Sequence, residues 1–347
     1  MEWANELINW YLIEKRNLPW RNTKDPYLIW LSEIILQQTR VAQGLPYYYK
    51  FTAAYPTVFD LAMAKEDAVL KTWQGLGYYS RARNMLKTAN SIVIDYNGNF
   101  PNNYNDLLKL KGIGQYTAAA IASFAFDEKV AVLDGNVYRV LARHFGIEAV
   151  INLGSSKKLF LEIANTLIPS SNPSIFNQAI MEFGALQCVP KNPNCAQCPF
   201  CVSCFALQNN KVDKLPVKEA KRLSKIRYFN YVHFHNPEIV YLVKRGHTDI
   251  WANLYELPLI ETIQAANDFE IKKAIEDILS TSLSDYELSV DLTLTHKLTH
   301  QTIYARFWRL ESSFNLPAFF LKIPRDELGS YPISRLTEKY FEQMNLQ

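Results

Sequence analysis

The 347-residue chain has no apolar run approaching the roughly 20 residues that cross a membrane. It opens on Met1-Glu2-Trp3-Ala4-Asn5-Glu6, without the basic patch and apolar core of a secretory leader. These absences lead us to expect a soluble protein of the cytoplasm. An internal repeat and a low-complexity tract are missing too, which excludes solenoids and tail-like segments. Cysteine is scarce: there are five, and all lie between Cys188 and Cys204. A secreted disulfide framework would spread them along the chain, so a metal site is the better reading.

What is present is an ordinary globular balance, 48% apolar and 20% charged, on a length that allows two or three domains. The net charge of +3 conceals an asymmetry. Residues 1–225 carry 25 Lys and Arg against 18 Asp and Glu, a balance of +7, whereas residues 226–347 carry 12 against 16, a balance of −4. A basic front half suits a polyanionic partner, although a solvated surface leaning positive reads the same way.

Up to about residue 207 the pattern is helical. A long amphipathic stretch is expected from Tyr27 to about Tyr47, opened by Pro26. Others follow near Val58–Thr72, Ser80–Tyr96, Tyr104–Lys109, Gln115–Phe124, Asn136–His144, Lys157–Leu167 and Asn177–Gln187. Residues 208–225 are polar, lysine-rich and broken by Pro216, as a linker would be. Beyond them β-branched and aromatic runs predict strands at Ile226–Phe234, Ile239–Lys244, Leu288–Leu294 and Thr302–Leu310, with helices at about Phe269–Leu279 and Ser334–Met344. The second half is therefore a separate α+β domain.

Leu110-Lys111-Gly112-Ile113-Gly114-Gln115-Tyr116-Thr117-Ala118 lies between two helical segments. Gly112 and Gly114 permit a tight turn and remove side chains where another backbone must approach. Ile113 can tuck between the helices, and the second helix presents free N–H groups to a phosphate. This is the helix-hairpin-helix pattern, although a plain turn also contains Gly-x-Gly. Twenty residues further on, Asp134 stands just ahead of a helix, where free amides favour its ionised form. A simple N-cap is the compatible everyday reading. Glu33 is the contrast, set among Trp30, Leu31, Ile34 and Ile35. A mid-helix Glu usually faces water, but a desolvated one would have a raised pKa and could donate a proton. An acid paired with an anion has the logic of glycoside cleavage.

Cys188, Cys195, Cys198 and Cys204 follow at intervals of six, two and five intervening residues. Zinc ribbons prefer two Cys-x-x-Cys pairs across a longer gap, whereas this compact set suits one [4Fe-4S] cluster. Cys201 interrupts the last interval, so a set using it in place of Cys198 or Cys204 stays open. Lys191, in the first of these loops, could meet a phosphate or simply be solvated.

Taken together, the hairpin, Asp134 and the cysteine spacing resemble the endonuclease III superfamily of base-excision DNA glycosylases. Within it the chain is similar to the MutY-type adenine DNA glycosylases, and three features select that branch. The lyase members carry a lysine where this chain has Tyr116, which implies a monofunctional enzyme. Ser32-Glu33 with Gln37-Gln38-Thr39, Pro19-Trp20-Arg21 upstream and Gly75-Leu76-Gly77-Tyr78-Tyr79-Ser80-Arg81-Ala82-Arg83 downstream look like the adenine-glycosylase signature. Trp251, followed by Leu254-Tyr255-Glu256-Leu257-Pro258, resembles the family's Nudix-like domain, and the Glu cluster of an active Nudix hydrolase is missing.

The resemblance implies a multidomain protein. An all-α helix-hairpin-helix glycosylase core with an iron-sulfur cluster loop would occupy residues 1–207, with a six-helix module at about 24–130 and a cluster module from the N-terminal helix plus about 131–207. After the linker at 208–225, an α+β Nudix-like 8-oxoguanine recognition domain would span 226–347. Glu33 would protonate N7 of a flipped adenine, and Asp134 would stabilise the oxocarbenium ion. Tyr116 and Asn136 would position sugar and water, and Trp20 and Arg21 would line the base pocket. Gln38, Thr39, Leu76 and Tyr78 would form the wedge probing the opposite base, with Thr299 and His300 reading it. Gly112, Gly114, Gln115 and Lys191 would meet the DNA backbone. Where the family has Phe-Ser-His this chain has Leu298-Thr299-His300, which removes an aromatic ring. The implied cofactor is one [4Fe-4S] cluster on Cys188, Cys195, Cys198 and Cys204. The implied partner is double-stranded DNA with A:8-oxoguanine or A:G mispairs, bound by a monomer of bacterial type. The rivals are a pyrimidine-excising glycosylase with a lyase step and a lesion binder without catalysis; Tyr116 opposes the first, and the joint presence of Glu33 and Asp134 opposes the second.

Overall fold

A computed structural model describes residues 2–151, 153–219, 224–283, 286–311 and 316–346; residues 220–223 of the expected linker lie outside these. The helices are α1 (Glu2–Glu14), α2 (Pro26–Leu36), α3 (Val41–Ala54), α4 (Val58–Met63), α5 (Glu66–Trp73), α6 (Ser80–Tyr96), α7 (Tyr104–Leu107), α8 (Gln115–Phe126), α9 (Gly135–Phe145), α10 (Gly154–Leu167), α11 (Pro173–Leu186), α12 (Phe205–Gln208), α13 (Asp268–Leu279) and α14 (Arg335–Gln343). Two compact units result, Met1–Met63 with Asn84–Ala220, and Ala64–Arg83 with Lys221–Gln347.

The first unit is helical, with no strand among its described residues. Its centre is α2. Pro26 fills the first helical position and the Asp25 side chain accepts from Tyr27 N–H at 2.8 Å, so the start is firmly set. Tyr27, Ile29, Trp30, Leu31, Ile34 and Ile35 are all buried, which makes α2 apolar on nearly every side. α8 packs against it, and its buried run from Thr117 to Ser123 is made of small residues apart from Ile121, which lets the two backbones approach. A second core joins α1, α9 and α11 around Leu7, Phe160, Phe176, Phe183 and Phe200.

The single stretch expected from Tyr27 to Tyr47 is two helices. Gln38 adopts a left-handed conformation (φ +55°), and α3 returns so closely that a Cβ on Gly44 would lie 2.8 Å from Leu36 Cδ2. The stretch Val58–Thr72 likewise breaks between α4 and α5. Residues 208–217, polar in sequence, are packed on the first unit. Leu215 is only 3% exposed, Arg143 Nε donates to its carbonyl at 3.1 Å, and Ile151 N–H donates to Val217 O at 3.0 Å.

The second unit carries β1 (Lys225–His235), β2 (Ile239–Lys244), β3 (Tyr255–Glu256), β4 (Leu259–Thr262), β5 (Leu288–Lys297), β6 (Gln301–Glu311) and β7 (Leu321–Pro324). One sheet has the order β4-β1-β6-β5, with β1 and β6 parallel and the outer pairs antiparallel; the other has the order β3-β2-β7. Tyr231, Phe307 and Tyr340 stack in series, with centroids 5.0 and 4.2 Å apart, which fastens α14 to the larger sheet. The four anticipated strands and both helices are present. β3, β4 and β7 escaped the pattern because two to four residues are too few to display an alternation.

Candidate active site

Glu33 sits at the middle of α2 and is 6% exposed. Burial pushes its carboxyl up to about 7; a hydrogen bond with Tyr116 opposes the shift and the negative charge of Asp134 adds to it. Glu33 is thus enclosed by the apolar neighbours along α2 that single it out in the sequence. Tyr116 projects from the first turn of α8. Its hydroxyl is held well above the ordinary range by burial and then by the carboxylates of Glu33 and Asp134, so it stays protonated and serves as a donor.

Asp134 is the N-cap of α9. One carboxylate oxygen accepts from Val137 N–H and the other from Asn136 Nδ2, both at 2.7 Å. Helix and amide both favour the anion, yet burial outweighs them and lifts the group above its usual value. The position read from sequence as favouring a lowered pKa therefore has the opposite net direction, because the carboxylate is more enclosed than an ordinary cap. Asn136 also accepts from Arg139 Nη2 at 2.8 Å, and Arg139 Nε donates to Cys188 O at 2.7 Å. A continuous polar chain therefore runs from Asp134 to the first cysteine.

Glu33, Tyr116, Asp134, Asn136, Trp20, Arg21 and Thr39 line one cavity of about 530 Å³, a size typical of small-ligand sites. Trp20 is braced edge-to-face by Tyr48 at 5.1 Å. Gln38 lies outside this lining, on an exposed corner. Sequence reasoning missed Glu182, which lines the same cavity at 1% exposure. Arg21 donates to both its oxygens at 2.9 and 2.7 Å, and Arg16 does so at 2.8 and 2.6 Å. Burial would raise the Glu182 pKa, but these bonds bring it down to about 2. Its setting, between Met181 and Phe183 in an apolar helix, repeats the signal that marked Glu33.

The hairpin has the expected form. Ile113 is buried and its N–H donates to Leu110 O at 3.1 Å. Gly112 needs to be glycine, since φ is +86° and a Cβ would stand 2.8 Å from Asn84 Cβ. At Gly114 φ is −89° and a Cβ would meet nothing within 4 Å. Its bare surface faces open space, beside Gln115 at the start of a helix that no side chain caps.

In the second unit, Leu76, Tyr78, Thr299 and His300 line a cavity of about 590 Å³ with Trp251 and His296. Tyr78 is left-handed (φ +47°), and its hydroxyl hydrogen-bonds to Thr299 Oγ1. Leu76 is buried. In the first unit, all five cysteines line one apolar recess with Val140, Phe183 and Phe200. Arg143 Nη1 approaches Cys188 Sγ at 3.4 Å and donates to Val189 O at 2.8 Å, bracing the loop from which the thiols project. Among the described residues no three His, Cys, Asp or Glu side chains are grouped to hold a single metal ion. Several thiols gathered on one recess are a donor set that suits a metal cluster bound by thiolates. Lys191 is exposed on that loop.

A family model described as HhH-GPD superfamily base excision DNA repair protein matches residues 31–166, and a NUDIX domain model matches residues 230–343. A solved structure of a thermostable thymine-DNA glycosylase shares 32% identity and a TM-score of 0.56, covering 60% of this chain and 96% of that one. The fold and these matches define a DNA glycosylase of the helix-hairpin-helix class with a Nudix-like domain. An adenine DNA glycosylase of Buchnera aphidicola subsp. Baizongia pistaciae is 37% identical over 308 residues, 86% of this chain and 83% of the relative. One of Arabidopsis thaliana is also 37% identical, over 78% of this chain and 49% of the relative. The chain belongs to the adenine DNA glycosylase family.

Proposed function

We propose that this chain hydrolyses the N-glycosidic bond of adenine mispaired with 8-oxoguanine or guanine in double-stranded DNA, without a lyase step. The observation that carries this reading is the convergence of Glu33, Tyr116 and Asp134 on one cavity. With a pKa of about 7, Glu33 is substantially protonated near neutrality and can give its proton to N7 of a flipped adenine. Bond cleavage leaves positive charge on the sugar, and the Asp134 carboxylate, held by Val137 and Asn136, faces it as an anion. Tyr116 and Asn136 orient sugar and water. Tyr116 also stands where a lyase would need an amine, which separates this chain from enzymes that form a Schiff base.

Trp20 and Arg21 form one wall for the base, Arg21 being held in place by Glu182. Extruding the base costs a few kcal/mol, offset by contacts in the pocket and by a wedge left in the duplex. Gln38 and Thr39 are the proposed wedge residues of the first unit, and Leu76 and Tyr78 those of the second, where Thr299 and His300 read the opposite strand. The Tyr78–Thr299 hydrogen bond supports a polar reader where the family's aromatic ring is missing. Gly112, Gly114, Gln115 and Lys191 meet backbone phosphate. Cys188, Cys195, Cys198 and Cys204 would hold one [4Fe-4S] cluster. When bound, the cluster would tie these four thiolates together and so brace the loop that carries Lys191.

The test is a duplex with adenine opposite 8-oxoguanine. Free adenine should appear while the abasic strand stays intact until alkali is added. Strand scission without alkali, with a borohydride-trapped adduct, would instead make the chain a lyase.

A further inference from the structure

The proposed cluster uses four thiols and leaves Cys201 without a part, yet Cys201 lines the same recess as the other four. The cause is local. Cys195, Cys198, Cys201 and Cys204 recur at every third residue. The backbone between the first three folds in successive turns, with Cys198 N–H donating to Cys195 O at 3.2 Å and Cys201 N–H to Cys198 O at 3.0 Å. Turns of the i to i+3 kind bring residues three apart to the same side. Cys201 is only half-exposed, in a wall that it shares with the other four thiols, apolar side chains such as Val140 and Phe200, and the polar Arg143, His144 and Gln187. Cys195, Cys198 and Cys201 also repeat the Cys-x-x-Cys-x-x-Cys spacing that by itself supplies three ligands to [4Fe-4S] clusters in ferredoxin-type loops.

Resting on the cluster reading above, we propose that Cys201 is a reserve ligand for the position held by Cys204. Cys204 is the next thiol along, at the N-cap of α12, so the exchange leaves Cys188, Cys195 and Cys198 where they are. Where substitution removes the Cys204 sulfur, Cys201 would give its thiol proton to solvent and its thiolate would take the vacated iron position. In an exchange with Cys204 intact, the departing Cys204 thiolate would take up one proton, and in neither case would an electron move. A loop so equipped keeps four thiolates when Cys204 is lost.

The test is made on the full chain, purified without oxygen, as wild type, Cys201→Ser, Cys204→Ser, Cys204→Ala and the double variant Cys201→Ser/Cys204→Ser. Iron, acid-labile sulfide and the visible absorbance are measured. Far-UV circular dichroism checks the fold, and Cys204→Ala is read beside Cys204→Ser so that one unfolded variant does not decide the matter. Wild type and Cys201→Ser should carry equal iron. The Cys204 single variants should keep most of it, and the double variant should lose it by about tenfold or more. A thiol-alkylating reagent should modify Cys201 in the wild-type holoprotein but not in the Cys204 variants. Single variants as depleted as the double, or Cys201 equally reactive in both backgrounds, would overturn the proposal. Absence of iron from the wild type would overturn the cluster reading itself.

Discussion

Asn136 holds Asp134 from one side and Arg139 from the other: its amide nitrogen donates to the Asp134 carboxylate at 2.7 Å and its amide oxygen accepts from the Arg139 guanidinium at 2.8 Å. An anion positioned by two fixed donors needs no reorganisation when a cation develops beside it. Asp134→Asn should therefore slow base release by about 100- to 1,000-fold, the range for losing a preorganised electrostatic contact. Asn136→Ala should slow it by about 10-fold, since Val137 N–H remains. Single-turnover rates of the two variants check this order; equal losses would mean that Asn136 does more than hold Asp134.

Burial of Glu33 makes stability depend on pH. Its pKa rises from 4.5 to about 7, so the folded state binds its proton more tightly than the unfolded chain. The stability associated with the protonated form is full below about pH 4.5 and is lost as pH rises through about 7. Glu33→Gln removes that loss. Thermal melts should find the variant more stable than wild type at pH 8 and little changed at pH 4. A constant difference across this range would show that Glu33 does not titrate in the fold as described.

Glu182 behaves in the opposite way. Its pKa is depressed to about 2, so its contribution is present above about pH 4.5 and is lost as pH falls through about 2. Glu182→Gln leaves Arg16 and Arg21 without the carboxylate between them. Breaking a buried pair by removing one partner costs about 3–5 kcal/mol, and the partial exposure of Arg16 puts this case at about 3 kcal/mol. Denaturant titration at pH 7 measures it, and a loss under about 1 kcal/mol would contradict the pairing.

The two hairpin glycines should separate stability from binding. Gly112→Ala forces a left-handed alanine against Asn84 and should cost about 1–3 kcal/mol. Gly114→Ala meets nothing in the protein and should leave stability within about 0.5 kcal/mol. If DNA backbone approaches Gly114, the same change should weaken duplex binding by about 10-fold, measured by fluorescence anisotropy at fixed salt. Unchanged binding would remove Gly114 from the interface.

Much of this was legible in sequence because it is local. Asp134 announced itself by preceding a helix, Gly112 by its turn, and Glu33 by apolar neighbours along one helix. What escaped depends on distance in the chain. Glu182 carries the same local mark as Glu33, but its meaning comes from Arg16 and Arg21, more than 160 residues away. The corner at Gln38 escaped although the polar run Gln37 to Arg40 interrupts the apolar pattern, because apolar residues resume at Val41 and the gap is only four residues long. Asp134 shows the limit most clearly: local helix electrostatics favour a lowered pKa, while enclosure by distant residues raises it.

The most direct measurement is single-turnover adenine release from a duplex with adenine opposite 8-oxoguanine, compared with adenine opposite thymine, for wild type and Glu33→Gln. The account predicts rapid release by the wild type from the first duplex and little from the second. For Glu33→Gln it predicts a fall of about 100- to 10,000-fold, the range of general acid catalysis, with mispair binding nearly unchanged. Retained release by Glu33→Gln would contradict the acid role at the centre of the account.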